Sequence, residues 1–600
     1  MTKSSSFYVP PDGLDTAEKR LQHIIENKYG VQFASYQEFH RWSCDNYDKF
    51  WEEVLLFTNM KLSSPYTSVI DKSKSIASIP KWFPGAKLNY AENCLRGESS
   101  SVAFVCGFLP NTYETAVAML ATTAIGAAWC SASTDFGVDG ILCRFKQVSP
   151  KILFVVEGVV YKDVRGLHEQ INGITAELPS LQHIILFEHL KSAAYKKEFS
   201  PLVKEKLIRY NDFVAGYSVN GTPFQYEQVE FHHPLFIMFS SGTTGAPKAM
   251  VHTVGGTLIK HIEEHIIQED VRPTDRMLFF TTCGWMMWNW LMSILYTGAS
   301  AVLYDGSPIA PHYEHAVEHN DSSESLYNLK VKMVLSTASP LKASTFEFIN
   351  NHIAPQAVIG SISGGTDILG CFMGCSKSLA VHAGECQCLY LGMDMFAYNR
   401  QGQPVYDERG ELVCLTPFPS MPVRFLHDPD GSKYRKAYFS DYEGAWAHGD
   451  YCIFNSKTGG IVMLGRSDTT LNRGGVRFGT AEVYMIVESF ESVDDSIAVG
   501  QKIPGKEDER ILLFLKMKAE HQLTDTLKTE INTALRTRVS FKHYMDAIHA
   551  VEDIPYTQSG KKSEAAVKKV VNGDMPDNIA SFRNPESVDC YKSFVLSGTK

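Results

Sequence analysis

One short segment of the chain has the composition of an anion-binding loop. Ser240-Ser241-Gly242-Thr243-Thr244-Gly245-Ala246-Pro247-Lys248 follows an apolar run, 236–239, and precedes a helical pattern that begins near Thr253. Glycines allow backbone N–H groups to close on an anion, four hydroxyls add donors, and Lys248 supplies a positive charge. The spacing of a Walker A loop is absent. The segment therefore predicts an anion site rather than an ordinary turn.

Four more polar segments follow this loop and contain most of the other candidates for chemistry. They are Gly364-Gly365-Thr366-Asp367; Trp446-Ala447-His448-Gly449-Asp450; Gly465-Arg466-Ser467-Asp468 with Gly474-Gly475-Val476-Arg477 and Glu482; and Pro555-Tyr556-Thr557-Gln558-Ser559-Gly560-Lys561. Any one Asp or Arg among them, taken alone, is more often a surface charge or half of an ion pair than a site residue.

Together and in this order, the five segments resemble the motifs of the adenylate-forming superfamily, which includes acyl-CoA synthetases, luciferases and peptide-synthetase adenylation domains. The resemblance extends from about residue 15 to the C-terminus. It implies that ATP activates a carboxylic acid as an acyl-adenylate, with release of pyrophosphate, and that CoA then accepts the acyl group. ATP, Mg²⁺ and CoA are the implied cofactor and substrates.

The resemblance also implies a role for each matching residue. Lys561 would bridge the attacking carboxylate and the α-phosphate, Asp450 would accept hydrogen bonds from the ribose hydroxyls, and Asp468 would be a hinge. Asp367 would hold Mg²⁺; it stands where the family usually has Glu, so its shorter side chain could place a water between carboxylate and metal. The implied nucleotide-binding residues are Ser240, Ser241, Gly242, Thr243, Thr244, Lys248, Ser339, Thr366, Asp450, Arg466 and Arg477.

Two further segments bear on the substrates. Ala338 stands where the family has Gly at the turn that stacks on adenine, and its methyl group could weaken ATP binding. Trp285, Met286 and Trp288 match the family's acyl pocket, where bulky side chains leave room for a short acid; plain core packing is an equally good explanation of each.

Four segments are similar to one group of these enzymes, those that activate acetoacetate. They are 82–93, 284–290, 304–308 and 361–367. They imply acetoacetate as the acid, with acetate, propionate or another short acid left open. A relative that binds nucleotide without catalysis is the alternative from a different class.

A second motif competes with this interpretation. His261-Ile262-Glu263-Glu264-His265 fits the His-x-x-Glu-His pattern of one class of zinc peptidases, but three fixed positions arise often in a chain with 20 His. Its alternating charges predict a solvent-exposed helix face. Cys386, Cys388, Cys371 and Cys375 have no matching second ligand pair and are expected to be inert thiols.

Composition limits the partners. The 57 Lys and Arg against 67 Asp and Glu give a net charge of −10 without a long basic run, so neither nucleic acid nor an anionic membrane is expected as a main partner. Thirteen Cys without a short-spaced framework predict reduced thiols and a cytosolic protein. No apolar leader is evident in 1–6, and 597–600 is not a peroxisomal address. The partners are expected to be small molecules, and oligomeric state stays open.

The arrangement of apolar runs predicts the fold class. Strand candidates alternate with helical patterns, which is typical of βαβ units and parallel sheets. They are 152–156, 183–187, 236–239, 277–280, 301–304, 333–335 and 358–362. Two charge-free stretches, 115–134 and 277–304, are expected to be buried segments of this core rather than membrane spans.

We therefore expect an α/β protein with two domains. Residues 1–467 would form a large adenylate-forming domain of parallel and mixed sheets with helices, which becomes β-rich from Gly410. Residues 468–600 would form a small mobile α+β lid, with helices at 480–490 and 527–539 and strands at 496–499 and 511–516.

Against the family, the chain lacks two internal portions, near 97–103 and 309–332. Each missing piece would expose apolar surface on its neighbours, and ~1000 Å² of such surface is worth about 25 kcal/mol, more than the 5–15 kcal/mol, roughly, that stabilises a domain. The sequence therefore also predicts a shortened isoform that is weakly active or inactive although its motifs are intact.

Overall fold

The computed structural model describes most of the chain. The described residues are 7–95, 105–160, 164–190, 198–215, 224–239, 247–306, 330–467, 471–473, 476–478, 480–503, 509–538, 544–558, 560–576 and 579–596.

Three helices open the described chain: Ala17–Tyr29, Tyr36–Asp45 and Tyr47–Phe57. The first turns of the first two helices are fixed by side-chain caps, since the hydroxyls of Thr16 and Ser35 accept hydrogen bonds from backbone N–H groups three residues on. Their apolar side chains recur at helical spacing and are buried against the large core.

An eight-stranded sheet forms the centre of the large part of the protein. In spatial order its strands are Arg424–Phe425, Ala249–Thr253, Pro234–Phe239, Trp129–Ala132, Val105–Phe108, Ile152–Val156, His183–Phe187 and Leu207–Arg209. The last six are parallel, whereas Ala249–Thr253 runs antiparallel to both of its neighbours. Helices connect the parallel strands, as parallel pairing requires; they are Tyr113–Ala124, Val138–Val148, His168–Glu177 and Pro201–Lys206.

Of the two charge-free stretches, the first is an interior segment, as expected, whereas the second is buried in its helix but exposes Leu278 and Val302 on its two strands. The first is helix Tyr113–Ala124 followed by strand Trp129–Ala132. The second is a strand, Arg276–Leu278, a fully buried helix, Met286–Met292, and a strand, Ser300–Val302, with the two strands paired in parallel. Within the described residues, no helix is both long enough and apolar enough to cross a membrane.

The predicted β-rich part is present. Four antiparallel strands pair in the order Met395–Tyr398, Arg409–Cys414, Trp446–Phe454 and Ile461–Arg466. A second antiparallel sheet contains Ser363–Gly365, Gly370–Gly374 and Cys388–Leu389.

The C-terminal part has its own core. Strands Val493–Lys502, Glu509–Met517 and Ala547–Ala550 form one sheet. Its two faces are covered by separate apolar clusters, one with helices Thr480–Val487 and Asp525–Arg538, the other with helix Glu564–Val571.

Further helices and strands complete the described fold. The helices are Ile76–Ser78, Tyr90–Leu95, Tyr210–Ala215, Val254–Ile262, Glu263–Gln268, Ser293–Thr297, Ala343–His352, Ser432–Tyr438, Ile579–Ser581 and Pro585–Phe594. The strands are Lys87–Leu88, Gly158–Val160, Val164–Gly166, Val229–Glu230, Met333–Ser336, Val358–Ser361, Leu471–Arg473 and Val476–Phe478.

The expectation of a solvent-exposed face at the His-x-x-Glu-His segment was wrong. Helix Val254–Ile262 continues as a π-helix, Glu263–Gln268, and the two His and two Glu of the motif are all 0% exposed. Burial is tolerated because partners within the protein satisfy these groups. Both ring nitrogens of His261 and of His265 already contact protein oxygens, namely Ser293 Oγ, the Leu369 carbonyl, Glu269 Oε2 and the Trp290 carbonyl.

Candidate active site

Adjacent strands bring the acidic and basic residues of two motifs together. Asp450 and Arg466 are register partners on strands Trp446–Phe454 and Ile461–Arg466. The Arg466 guanidinium lies 3.8 Å from Asp450 Oδ1 and donates a 3.2 Å hydrogen bond to the His448 carbonyl. His448 Nε2 lies 3.6 Å from Asp450 Oδ2. The Asp450 carboxylate thus faces two cationic or polar groups at distances beyond ordinary hydrogen bonds.

Asp367 lies beside this group and is held by a phenol. The Tyr438 hydroxyl donates a 2.5 Å hydrogen bond to Asp367 Oδ1. Burial raises the pKa of Asp367, but His448, the Tyr438 hydrogen bond and the charges of Arg466 and Lys248 outweigh it, so the pKa lies below its usual value. The carboxylate is therefore ionised at neutral pH, as a ligand of a hard divalent cation must be.

Tyr438 is itself held in place by stacking. Its ring lies 3.7 Å from the Trp446 ring, centre to centre, at an interplanar angle of 12°. Trp446 is fully buried, so it fixes the phenol that orients Asp367.

Two motif glycines allow the backbone to approach this cluster. Gly449 has φ +85°, and a Cβ there would lie 2.8 Å from Arg466 Nη2. A Cβ on Gly365 would lie 3.2 Å from the His448 ring and 3.3 Å from Asp367 Oδ2. Larger residues at these positions would push the charged side chains apart.

A tight turn in the C-terminal part presents Lys561. The backbone N–H of Thr557 donates to the Lys561 carbonyl at 2.8 Å, and the Lys561 N–H donates to Thr557 Oγ1 at 3.1 Å. Gly560, with φ +78°, permits the turn.

Lys561 is electrostatically coupled to the residues of the large part. Burial lowers the pKa of Lys561 below its usual value, and the charge of Arg466 adds to that effect. Asp450 and Asp367 act in the opposite direction by favouring the ammonium form. The turn therefore brings Lys561 to the same cluster as Asp367, Asp450 and Arg466.

The end of the predicted anion loop reaches this cluster too. The exposed Lys248 ammonium lies 5.8 Å from the Phe425 ring centre and 5.9 Å from that of Tyr438, the residue bonded to Asp367. Several expected site residues lie outside the described residues: Ser240, Ser241, Gly242, Thr243, Thr244 and Asp468. The backbone of Arg477 lies in strand Val476–Phe478, but its side chain is outside the described part.

The expected adenine turn adopts a glycine-like conformation. Ala338 has φ +79°, in the left-handed region that side chains rarely adopt. It lies between strand Met333–Ser336 and helix Ala343–His352, followed by the exposed Ser339. The chain thus keeps a backbone suited to glycine while carrying a methyl group there.

The expected acyl-pocket residues begin the buried helix Met286–Met292. Trp285 is its N-cap, and Met286 and Trp288 are buried. Trp288 Nε1 donates a 2.9 Å hydrogen bond to Asn111 Oδ1. Their role in substrate binding stays a prediction.

Sequence analysis missed three residues of the site. His448 lies inside a motif quoted above and could have been found there. Tyr438 contacts Asp367 from 71 positions away in the chain and carries no motif signal. His252 is fully buried; burial lowers its pKa to about 4, while the Thr366 carbonyl and Asp367 favour its proton.

Comparison with known proteins supports a single family. The AMP-binding enzyme family matches residues 97–320, and the N-terminal region of acetyl-coenzyme A synthetases matches residues 36–94. An acetoacetyl-CoA synthetase of Caenorhabditis elegans is 46% identical over 658 aligned positions, which cover 98% of this chain and 93% of that protein. One of Gallus gallus is 41% identical and covers 98% of both chains.

A solved structure agrees with the sequence relatives. The acetoacetyl-CoA synthetase of Streptomyces lividans superimposes with a TM-score of 0.86 at 32% identity, covering 98% of this chain and 99% of that one. This match confirms the α/β fold class, and the relatives confirm the resemblance inferred from the motifs. The chain belongs to the acetoacetyl-CoA synthetase family of AMP-binding enzymes.

Proposed function

We propose that the protein is an AMP-forming acid–thiol ligase that converts acetoacetate, ATP and CoA to acetoacetyl-CoA, AMP and pyrophosphate through an acyl-adenylate. The observation that carries the proposal is the convergence of Asp367, Asp450, Arg466 and Lys561 from separate motifs and two cores. Relatives named for this activity align with nearly the whole chain.

In the first half-reaction an acetoacetate oxygen attacks the α-phosphorus of ATP and pyrophosphate leaves. Negative charge grows on the phosphoryl oxygens, so positioning and cationic stabilisation dominate catalysis. We assign Lys561 to the α-phosphate and the acid, and Lys248 to the β- and γ-phosphates. We assign Asp450 to the ribose hydroxyls, because an ionised carboxylate accepts from both of them. Arg466, Ser339 and Thr366 would complete the described nucleotide contacts.

Mg²⁺ and CoA enter this scheme in different ways. The ionised Asp367 carboxylate, oriented by Tyr438, fits the oxygen-ligand preference of Mg²⁺. Bound there, Mg²⁺ would neutralise phosphate charge. CoA is a substrate: its thiolate attacks the acyl carbon of the adenylate, and AMP leaves.

We also propose the division into a large domain, 1–467, and a mobile domain, 468–600, with Asp468 as hinge. The separate apolar cores before and after this point support it. The thirteen free cysteines, eleven of them buried, support a cytosolic location. Fractionation of cells that produce the tagged full-length chain would test the location.

Isotope exchange between pyrophosphate and ATP tests the ligase proposal. We expect exchange that depends on added acetoacetate and Mg²⁺ and that is faster with acetoacetate than with acetate or propionate. Exchange that prefers another short acid would revise the substrate, and exchange with no acid at all would contradict the ligase.

A second candidate, a shortened isoform of low activity, has its own support. Leu278 is 63% exposed and Phe280 is 50% exposed, and Val302 and Tyr304 beside them are also exposed. The alignment with the C. elegans relative spans 658 positions, more than the 600 residues of this chain, so that relative carries segments without a counterpart here. We infer that these segments fall near 97–103 and 309–332, where the sequence predicts the missing portions.

Purified protein separates the two candidates. Loss of ordered segments predicts broad, weakly cooperative melting and little acetoacetate-dependent AMP formation, because the exposed apolar surface favours unfolding or association. Cooperative melting with AMP formation as fast as that of full-length relatives would refute the second candidate.

A further inference from the structure

Asn289 is a buried amide without a partner. It is 0% exposed, and neither its Oδ1 nor its Nδ2 atom makes a hydrogen bond to any described residue. Such a group costs free energy, so native proteins nearly always satisfy it with protein, water or ligand.

The position of Asn289 on its helix links it to the expected acyl pocket. In helix Met286–Met292 it follows Met286 by three residues and the N-cap Trp285 by four, so the three lie on one face of the helix. Trp290, on another face, donates its Nε1 proton to Glu264 Oε2 at 2.8 Å. The indole nitrogens of Trp288 and Trp290 thus have partners within the protein, whereas the amide has none among the described residues.

The nearest polar side chain along the helix cannot serve Asn289. Ser293, one turn on, contacts His261 Nδ1 at 2.7 Å and the Tyr90 hydroxyl at 2.8 Å. Its hydroxyl also lies 3.3 Å from the Asn289 carbonyl, a backbone rather than a side-chain contact. Both polar atoms of the Asn289 side chain therefore remain without a hydrogen-bond partner among the described residues.

We propose that Asn289 determines substrate specificity by donating an Nδ2 hydrogen bond to the 3-oxo group of acetoacetate. This inference rests on the proposed ligase function and deepens it. Acetoacetate and butyrate have the same carbon chain, but only acetoacetate has a carbonyl acceptor at the third carbon. A site that hydrogen-bonds a substrate group discriminates strongly against the analogue that lacks it, because its own polar group is then left unpaired.

Replacement of the amide by an isosteric apolar group tests this role. For Asn289→Leu we expect kcat/KM with acetoacetate to fall about 10- to 100-fold while that with butyrate stays equal or rises. The melting temperature should not fall, because an unpaired buried amide is removed. Met287→Leu, a buried change on the same helix, is the control and should leave the acetoacetate-to-butyrate ratio unchanged.

Three results would overturn the role. They are an unchanged ratio in Asn289→Leu, an equal loss with both acids, and a wild-type protein that is active but prefers butyrate. Should Asn289→Leu fail to fold, Asn289→Ala, which only removes atoms, is judged by the same ratio. A wild-type protein inactive with every acid would instead overturn the ligase proposal and this inference with it.

Discussion

Two clusters in this molecule both combine acidic and basic side chains and differ in how they are completed. The buried cluster, formed by Lys260, Glu263 and Glu264, is 0% exposed. The site cluster, formed by Asp367, His448, Asp450, Arg466 and Lys561, draws on both the large and the C-terminal part.

In the buried cluster the protein itself supplies the partners. Lys260 lies 2.7 Å from Glu263 and 3.2 Å from Glu264. Glu264 also accepts hydrogen bonds from the Cys371 N–H at 2.7 Å and from Trp290 at 2.8 Å. In the site cluster Asp450 stands 3.6 Å from His448 and 3.8 Å from Arg466, which leaves acceptor capacity for a ligand. A charged cluster completed from within is structural; one left incomplete is available for binding.

The largest expected effect comes from breaking the buried cluster. Lys260→Met leaves Glu263 and Glu264 buried without their cation, so the free energy of unfolding should fall by about 3–5 kcal/mol. The rate of pyrophosphate exchange per folded molecule should change little, because no site residue is removed. Urea unfolding and exchange assays measure the two effects.

A surface pair supplies the control for that variant. Lys332, whose side chain is 57% exposed, pairs with Asp275; Lys332→Met should cost only about 0–1 kcal/mol. Equal losses in the two variants, or loss of exchange activity in folded Lys260→Met, would erase the distinction between the clusters.

The next largest effect should be on the rate of one half-reaction, without a change in the free energy of unfolding. Lys561→Ala should slow adenylate formation about 100- to 1000-fold, because a cation at the α-phosphate is lost in that transition state. Transfer of a pre-formed acyl-adenylate to CoA should be largely spared. Pyrophosphate exchange and thioester formation from synthetic adenylate measure the two half-reactions.

The neighbouring lysine is a matched control. Lys562 pairs with Glu488 and Asp495 inside the C-terminal part, so Lys562→Ala should lower the melting temperature instead. Equal loss of both half-reactions in Lys561→Ala would contradict the role proposed for Lys561.

A smaller effect should be a pH dependence of the free energy of unfolding, caused by a glutamate at the edge of the buried cluster. Glu18 is 2% exposed and accepts a hydrogen bond from Ser376 Oγ, and burial raises its pKa from 4.5 to about 7. Between these pKa values the folded state keeps a proton that the unfolded state has lost, so stability falls as pH rises. The contribution of Glu18 is complete below about pH 4.5 and lost above about pH 7, on the order of 3 kcal/mol at most.

Glu18→Gln should flatten that slope. The free energy of unfolding, measured in urea at about pH 5 and about pH 8, should differ less in this variant than in the wild type. Glu38→Gln, at an exposed first-turn glutamate of the next helix, should keep the wild-type slope. A slope unaffected by Glu18→Gln would place the titrating group elsewhere.

Much of the fold could be predicted because buried parallel strands are continuous apolar runs. Ile152–Val156 and His183–Phe187 have the predicted bounds, and the other predicted strands differ by one to a few residues. Strand Ala249–Thr253 was not predicted, since it is a five-residue segment between the predicted anion loop and a helix. It forms because it pairs with Pro234–Phe239.

The site could be predicted only where residues lie in motifs. Tyr438 orients Asp367 through a fold-dependent contact that no local pattern encodes. The buried cluster could not be predicted for a similar reason. Its alternating charges form the same sequence pattern whether the side chains face water or one another. Only the packing of Glu264 against Gly370 and Trp290 decides between the two.

The smallest expected effect tests a single methyl group at the site. Ala338→Gly relieves left-handed strain but adds freedom to the unfolded chain, so unfolding free energy should change by less than about 1 kcal/mol. If this turn stacks on adenine, the KM for ATP should fall a few-fold while that for acetoacetate stays constant. Gln356→Gly, at an exposed left-handed position with φ +65°, should leave both constants unchanged. An unchanged KM for ATP in Ala338→Gly would mean that the methyl group does not face the nucleotide, and the site cluster would then bind ATP without a contact from this turn.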